Sequence, residues 1–186
     1  MNSNQQISDY IFFYPDVMDK KTCEWIINRY DTTAEWQQST FSTAYQNTGT
    51  SRVAMDEYWI KSDAPYHKEL KKSFEYCVND YTSVHDKIKI LEYTNFRINR
   101  YGEGGFMQSH IDNIHHSHGQ KQGYPHLTSL LFLNDDYEGG EFVICGDKHI
   151  EKIQGSAIVF PSNFMYPHEV KEVTEGKRFS VMTWIL

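Results

Sequence analysis

The 186-residue chain has only three cysteines, Cys23, Cys77 and Cys145, set far apart and with no C-x-x-C pair. An odd number of scattered thiols supports neither a disulfide framework nor a thiolate zinc site. They read as small buried hydrophobes. Basic residues are the minority: 18 Lys plus Arg stand against 25 Asp plus Glu, for a net charge of −7 and a pI near 5.7. Without a basic block, the electrostatic footprint behind most non-specific nucleic-acid affinity is missing, which argues against a nucleic-acid partner. No stretch approaches the ~18 consecutive apolar residues of a membrane span. The polar start from Met1 to Asp9 lacks the basic and apolar regions of a secretory signal. Internal repeats and low-complexity tracts are also missing. These absences lead to the expectation of a soluble, cytoplasmic protein with no membrane partner, forming one domain over residues 1–186. They say nothing of its oligomeric state.

What is abundant is aromatic: 15% of the chain, with 13 Tyr and 11 Phe, which favours a folded core over disorder. Two textures follow one another. In the first 85 residues, Asp19 can cap a helix from Lys20 to about Thr33, whose Cys23, Ile26, Ile27 and Tyr30 make one apolar stripe. The polar stretch from Thr32 to Ser51 reads as a loop or a strand pair. Ala64-Pro65 opens a second predicted helix, to about Val84, with Leu70, Phe74, Cys77, Val78 and Tyr81 inward. After residue 86 the period changes to two. Segments 88–100, 127–134, 141–145, 148–153, 156–160, 167–173 and 177–186 are rich in β-branched and aromatic residues and separated by Gly, Asp, Asn and Pro. The expected architecture is mainly β, a sandwich over 86–186 buttressed by N-terminal helices and strands within 1–85.

One constellation carries chemistry. His110 and Asp112 are two apart, so a strand would present imidazole and carboxylate on one face. His168 follows 56 residues after Asp112. Two histidines and one carboxylate are the ligand set of the facial triad of non-haem Fe(II) oxygenases, which leaves three positions of an octahedral ion open. H-x-D alone is an ordinary pair of turn or surface residues, and a second anchor is what raises its meaning. Arg178 lies ten residues after His168, with Ser180 two further on the same strand face. An Arg fork binds a carboxylate bidentately; taken alone, Arg178 beside Lys177 reads more readily as a plain surface arginine. His115, His116 and His118 could form a second metal site. With no carboxylate or Cys at ligand spacing, the preferred reading is a mobile loop over the site mouth with solvated histidines.

The run Asn99-Arg100-Tyr101-Gly102-Glu103-Gly104-Gly105, then His110-x-Asp112-Asn113, Leu131-Phe132-Leu133-Asn134, Glu138-Gly139-Gly140-Glu141, Phe160-Pro161-Ser162, His168-Glu169-Val170 and Gly176-Lys177-Arg178-Phe179-Ser180, ending at Trp184, resembles the 2-oxoglutarate- and Fe(II)-dependent dioxygenases, in their prolyl 4-hydroxylase-like branch. The resemblance covers Phe96 to Leu186 and implies a double-stranded β-helix, or jelly roll, with the metal site at one mouth. By the same resemblance His110, Asp112 and His168 match the iron ligands and Arg178 the partner of the distal carboxylate of 2-oxoglutarate. Ser180, Asn99 and Tyr101 match further co-substrate contacts. Where prolyl hydroxylases often carry a tyrosine before Leu-Asn, this chain has Phe132, so Tyr101 or Ser180 would supply the missing hydrogen bond. Implied cofactors are Fe(II), 2-oxoglutarate as co-substrate, O2, and ascorbate as activator. The favoured substrate is a peptidyl proline, with Trp184, Tyr166, Arg52 and Trp59 as substrate-side candidates and the stretches Arg52 to Trp59 and Asn113 to Tyr124 as binding loops. Related branches act on free amino acids or small molecules, or repair alkylated nucleic acid. From a different class, a non-catalytic metal-binding β-barrel or a zinc hydrolase would have no need of the Arg178-x-Ser180 anchor.

Overall fold

A strict alternation along one buried strand, Arg178–Ile185, organises the molecule. Phe179, Val181 and Ile185 face one way, into a cluster with Cys23, Ile26, Leu70, Phe74, Cys77, Val78 and Tyr81 of the two helices. Met182 and Trp184 face the other way, into a cluster with Leu130, Phe132, Phe142 and Phe160. Arg178 and Ser180 share that second side by the two-residue period of a strand. Both neighbouring strands repeat the division. Phe96 and Ile98 face the helices, as do Leu127 and Leu131; Tyr101, Leu130 and Phe132 face the second cluster.

The computed structural model describes residues 6–39, 52–113 and 124–186. Among them a seven-stranded sheet runs in the order Phe12–Tyr14, Ala157–Pro161, Leu127–Phe132, Arg178–Ile185, Phe96–Tyr101, Asp56–Ile60, Gln37–Gln38. A five-stranded sheet runs Lys148–His149, Phe142–Ile144, His168–Val170, Phe106–His110, Val53–Ala54. Every pairing in both sheets is antiparallel. Facing each other across the second cluster, the two sheets form a jelly roll. The helices Lys20–Thr33 and His67–Val84 cover the outer face of the larger sheet. Each fully buried Leu, Ile or Phe there contributes about 1.5–3 kcal/mol through lost apolar exposure.

The first helix starts where its cap allows: Asp19 accepts from the Thr22 backbone N–H at 3.0 Å and from the Thr22 hydroxyl at 2.7 Å. The second begins at His67 rather than at Pro65. Tyr66 adopts a left-handed φ of 63°, and the Pro65 carbonyl accepts a 2.7 Å hydrogen bond from the Tyr30 hydroxyl, so Ala64-Pro65 forms a turn. Thr32 and Thr33 belong to the first helix and Gln37–Gln38 to the larger sheet, while positions 40–51 lie outside the described residues. Three corrections concern strands. Of the segment 88–100, only Phe96–Tyr101 is a strand, Tyr93 making an isolated bridge to Ile185; of 148–153, only Lys148–His149 pairs. Asp56–Ile60 and Val53–Ala54 are strands, not a binding loop. Gly155, at φ 81°, is required where it stands: a Cβ would lie 2.0 Å from the Met18 carbonyl oxygen. Among the described residues no helix is long and apolar enough to cross a membrane.

Candidate metal centre

The strand Phe106–His110 pairs with His168–Val170 so that His168 lies directly opposite His110, and the two imidazole centroids are 4.3 Å apart. Asp112 lies just beyond the strand end instead of within it, and turns back beneath both rings. Its Oδ1 is 3.7 Å from His110 Nε2 and its Oδ2 is 3.5 Å from His168 Nε2. One ligand atom from each of the three residues falls within a 4.8 Å span. Those separations are too long for good hydrogen bonds, but they suit three ligands held about 2 Å from a common ion. The tautomers agree. His110 Nδ1 is 2.9 Å from the Gln108 carbonyl oxygen and His168 Nδ1 is 3.1 Å from that of Tyr166. A carbonyl only accepts, so both Nδ1 atoms carry the proton and both Nε2 lone pairs turn to the centre.

The surroundings fix the charge. Burial, reinforced by the facing His168 ring, pushes the His110 pKa down to about 3, leaving the ring neutral and able to ligate at neutral pH. Burial alone would raise the Asp112 carboxyl; the His168 and His110 rings, together with hydrogen bonds from Thr128 and Trp184, outweigh it and hold the group below the ordinary carboxylate range. The Thr128 hydroxyl donates to Asp112 Oδ2 at 2.6 Å and lies 2.9 Å from the Ser162 hydroxyl. Phe142 stacks on His168 at 5.4 Å and Phe160 meets it edge-on at 5.0 Å.

Arg178 lines the same cavity, about 40 Å³ in volume, together with Asn99, Tyr101, Leu130 and Met182. It is 1% exposed. Its Nη1 donates to Ser180 Oγ at 3.0 Å, and the guanidinium lies beside the Tyr137 hydroxyl, whereas its buried Nε and Nη2 have no partner at hydrogen-bond geometry. The Tyr101 and Phe132 rings flank the guanidinium at 5.1 and 5.5 Å. A buried cation with two unpaired donors is costly, and the Nε/Nη2 edge is the one that grips a carboxylate bidentately. The residues therefore fit a dicarboxylate reaching from the metal ligands to Arg178. Buried Asn99 lines the same cavity. Gly140, at φ 63°, makes room behind Arg178: a Cβ there would lie 2.9 Å from Tyr137 Cε2 and 3.2 Å from Arg178 Cδ.

The structure gathers His110, Asp112, His168, Asn99, Tyr101, Arg178 and Ser180 around one cavity. Trp184 is buried against Asp112 and packs on Trp59 at 6.3 Å. Arg52 donates to the Ser109 carbonyl at 3.0 Å, near His110 but outside the cavity lining. Tyr166 does not reach the cavity; its hydroxyl bonds the Ile7 carbonyl at 3.2 Å, so its ring ties the N-terminal segment to the smaller sheet. His115, His116 and His118 lie outside the described residues. Sequence reasoning missed Thr128 and Arg97, although period-two alternation puts Thr128 on the face of Leu130 and Arg97 on the face of Asn99.

Residues 96–186 match the family model described as the 2OG-Fe(II) oxygenase superfamily. A PKHD-type hydroxylase of Synechococcus sp. (strain CC9311) is 27% identical over 174 residues, covering 91% of this chain and 74% of that protein. Against other PKHD-type hydroxylases the chain spans less than half of their length. A Pseudomonas putida prolyl-4-hydroxylase has the same fold, with a TM-score of 0.72 at 14% identity over 95% of this chain and 91% of that one. So does a Trichoplax adhaerens prolyl hydroxylase in complex with a hypoxia inducible factor oxygen degradation domain peptide fragment, with a TM-score of 0.72 at 20% identity over 96% and 84%. A His-Asp-His centre, a carboxylate-ready arginine across the cavity and the matched motifs converge, and this chain belongs to the 2OG-Fe(II) oxygenase superfamily, a family of enzymes.

Proposed function

We propose that this protein is an Fe(II)- and 2-oxoglutarate-dependent dioxygenase that hydroxylates a peptidyl proline, consuming O2 and releasing succinate and CO2, with ascorbate as activator. One observation carries the co-substrate assignment: the unpaired Nε and Nη2 of buried Arg178 share a cavity with His110, Asp112 and His168. A zinc hydrolase or a passive metal site has no use for that edge. The peptide assignment draws on the PKHD-type hydroxylase relatives and on the fold neighbour bound to a peptide.

His110, Asp112 and His168 would hold the iron, leaving three of its positions open. The bound iron supplies the redox chemistry that couples oxidation of the 2-oxo acid to hydroxylation of a substrate C–H bond. Everything else falls to the chain. Arg178 binds the distal carboxylate, and Ser180, holding Nη1, sets the tilt of the fork. Tyr101 and Asn99 orient the chain of the co-substrate between its two anchors. Thr128, itself against Ser162, keeps Asp112 ionised and aimed at the centre. Met107, Leu130, Phe142 and Met182 line the wall and exclude water.

Anaerobic addition of Fe(II) and then 2-oxoglutarate should give a visible charge-transfer band. Admitting O2 with proline-containing peptides should give a 16 Da gain at proline by mass spectrometry, alongside succinate. His110→Ala and Asp112→Ala should lose the band and the succinate while keeping the fold by circular dichroism. Full turnover in both variants would sink the assignment, and turnover without modified proline would sink the peptide reading alone.

A further inference from the structure

A second guanidinium, at the metal end of the cavity, has one unpaired donor where Arg178 has two. Arg97 lines the cavity, and its side chain is 11% exposed. Its Nη1 reaches Glu57 Oε2 at 3.4 Å, while its Nε is buried with no partner. Its guanidinium carbon lies 5.2 Å from the Trp184 ring and 5.7 Å from the Trp59 ring. Two indoles thus back the planar cation and leave the Nε side unpaired. Arg97 pairs with Met182 in the strand ladder, whereas Tyr101 pairs with Arg178. Four residues of strand put the two arginine positions about 13 Å apart along the ladder. Trp184 contacts Asp112 as well as Arg97, so whatever Arg97 holds lies beside the metal ligands.

We propose that Arg97 is a substrate-anchoring residue and that the substrate presents an α-carboxylate to it. The carboxylate comes from a free imino or amino acid or from the C-terminal residue of a peptide. This deepens the hydroxylase reading and rests on it. Buried and lacking a full set of partners, the guanidinium gains most from an anion that pairs the Nε edge. Glu57 holds the opposite Nη1 in place, and the Trp59 and Trp184 rings fix the plane of the guanidinium from behind. Arg97 and Trp59 are paired across the ladder, so guanidinium and backing ring come from adjacent strands with a fixed register.

The test uses the Fe(II)- and 2-oxoglutarate-loaded protein under anaerobic conditions, with binding read by calorimetry. The probes are two matched pairs, L-proline against L-prolinamide and N-acetyl-prolyl-glycine against its C-terminal amide. The carboxylate member of at least one pair should bind at least about tenfold more tightly than its amide, as expected for losing a hydrogen bond to a charged group. The first pair reports a free imino acid and the second a peptide terminus. Arg97→Gln should erase that preference while the 2-oxoglutarate charge-transfer band forms at unchanged concentration, and Arg97→Lys should restore part of it. Wild-type protein that binds every member alike, or binds none, overturns the proposal. So does an Arg97→Gln variant that keeps the preference, or one that weakens 2-oxoglutarate instead. The wild-type comparison stands even where a variant does not fold. Loss of the band in wild-type protein would instead defeat the underlying hydroxylase reading.

Discussion

Thr128 donates a 2.6 Å hydrogen bond to Asp112 Oδ2 from the strand next to the one that carries Arg178 and Trp184. It is one of two donors that hold the carboxylate ionised in a site where burial opposes ionisation. Thr128→Val keeps the shape and removes the donor. Fe(II) affinity should fall about tenfold or more, the usual consequence of losing a partner behind a metal ligand. A metal titration followed by the charge-transfer band checks this; unchanged affinity would show that Trp184 suffices alone.

Arg178→Gln should raise the 2-oxoglutarate concentration needed for half-maximal band formation by at least about tenfold, since a charge-assisted pair is worth about 1.5–3 kcal/mol. Arg178→Lys should recover little, because a point charge cannot reproduce the fork. Ser180→Ala, which frees Nη1 without removing the charge, should have a smaller effect in the same titration. Equal effects of all three would show that the serine, not the fork, sets affinity.

Gly140 joins backbone strain to the packing of Arg178. Gly140→Ala must place a methyl group against Tyr137 and Arg178 at a φ that L-residues avoid. We expect a loss of about 1–2 kcal/mol in stability together with weaker 2-oxoglutarate binding. Denaturant melts and band titrations measure the two separately. A destabilised variant with wild-type affinity would separate the glycine from the site.

Asp31 joins the helix layer to the larger sheet, 2.7 Å from Arg100 and 3.0 Å from Lys177. Burial is the largest single influence and raises its pKa, but the hydrogen bonds and positive charges of Arg100 and Lys177 together outweigh it, so the folded value lies below the ordinary 3.8. A depressed carboxylate pKa stabilises the fold above 3.8 and loses that contribution as pH falls through the folded value. Wild type should therefore melt slightly higher than Asp31→Asn at neutral pH, the gap closing below 3.8. Exposure and salt limit the effect to about 1 kcal/mol. A gap that widens in acid would reverse the sign argued here.

The metal ligands and the Arg178-Ser180 pair were legible because they sit in motifs with fixed spacing and because strand alternation needs no third dimension. The ladder that sets His168 opposite His110 was not, since the register of strands 58 residues apart is decided by packing. Asp56–Ile60 escaped the reading because its alternation mixes charge and aromatics. In the fold that pattern has a cause: Asp56 pairs with Arg100 on one side, and Glu57 and Trp59 meet Arg97 on the other. Arg97 looked like a polar strand residue until its neighbours were in place. Tyr166, a substrate-side candidate, sets its carbonyl against His168 and its hydroxyl on the Ile7 carbonyl, a contact across 159 residues that no local pattern announces.

Along Arg178–Ile185, residues that line the cavity and residues that seal the helix layer occur by turns on one continuous backbone. Sliding that strand by a single position would trade the guanidinium for a phenyl ring and drive a charge among the helices. Misregistered chains would therefore be inactive and unstable together, so the population that survives heating should be the population that still binds 2-oxoglutarate. Quality control of the fold and quality control of the catalyst are, in this wall, one and the same inspection.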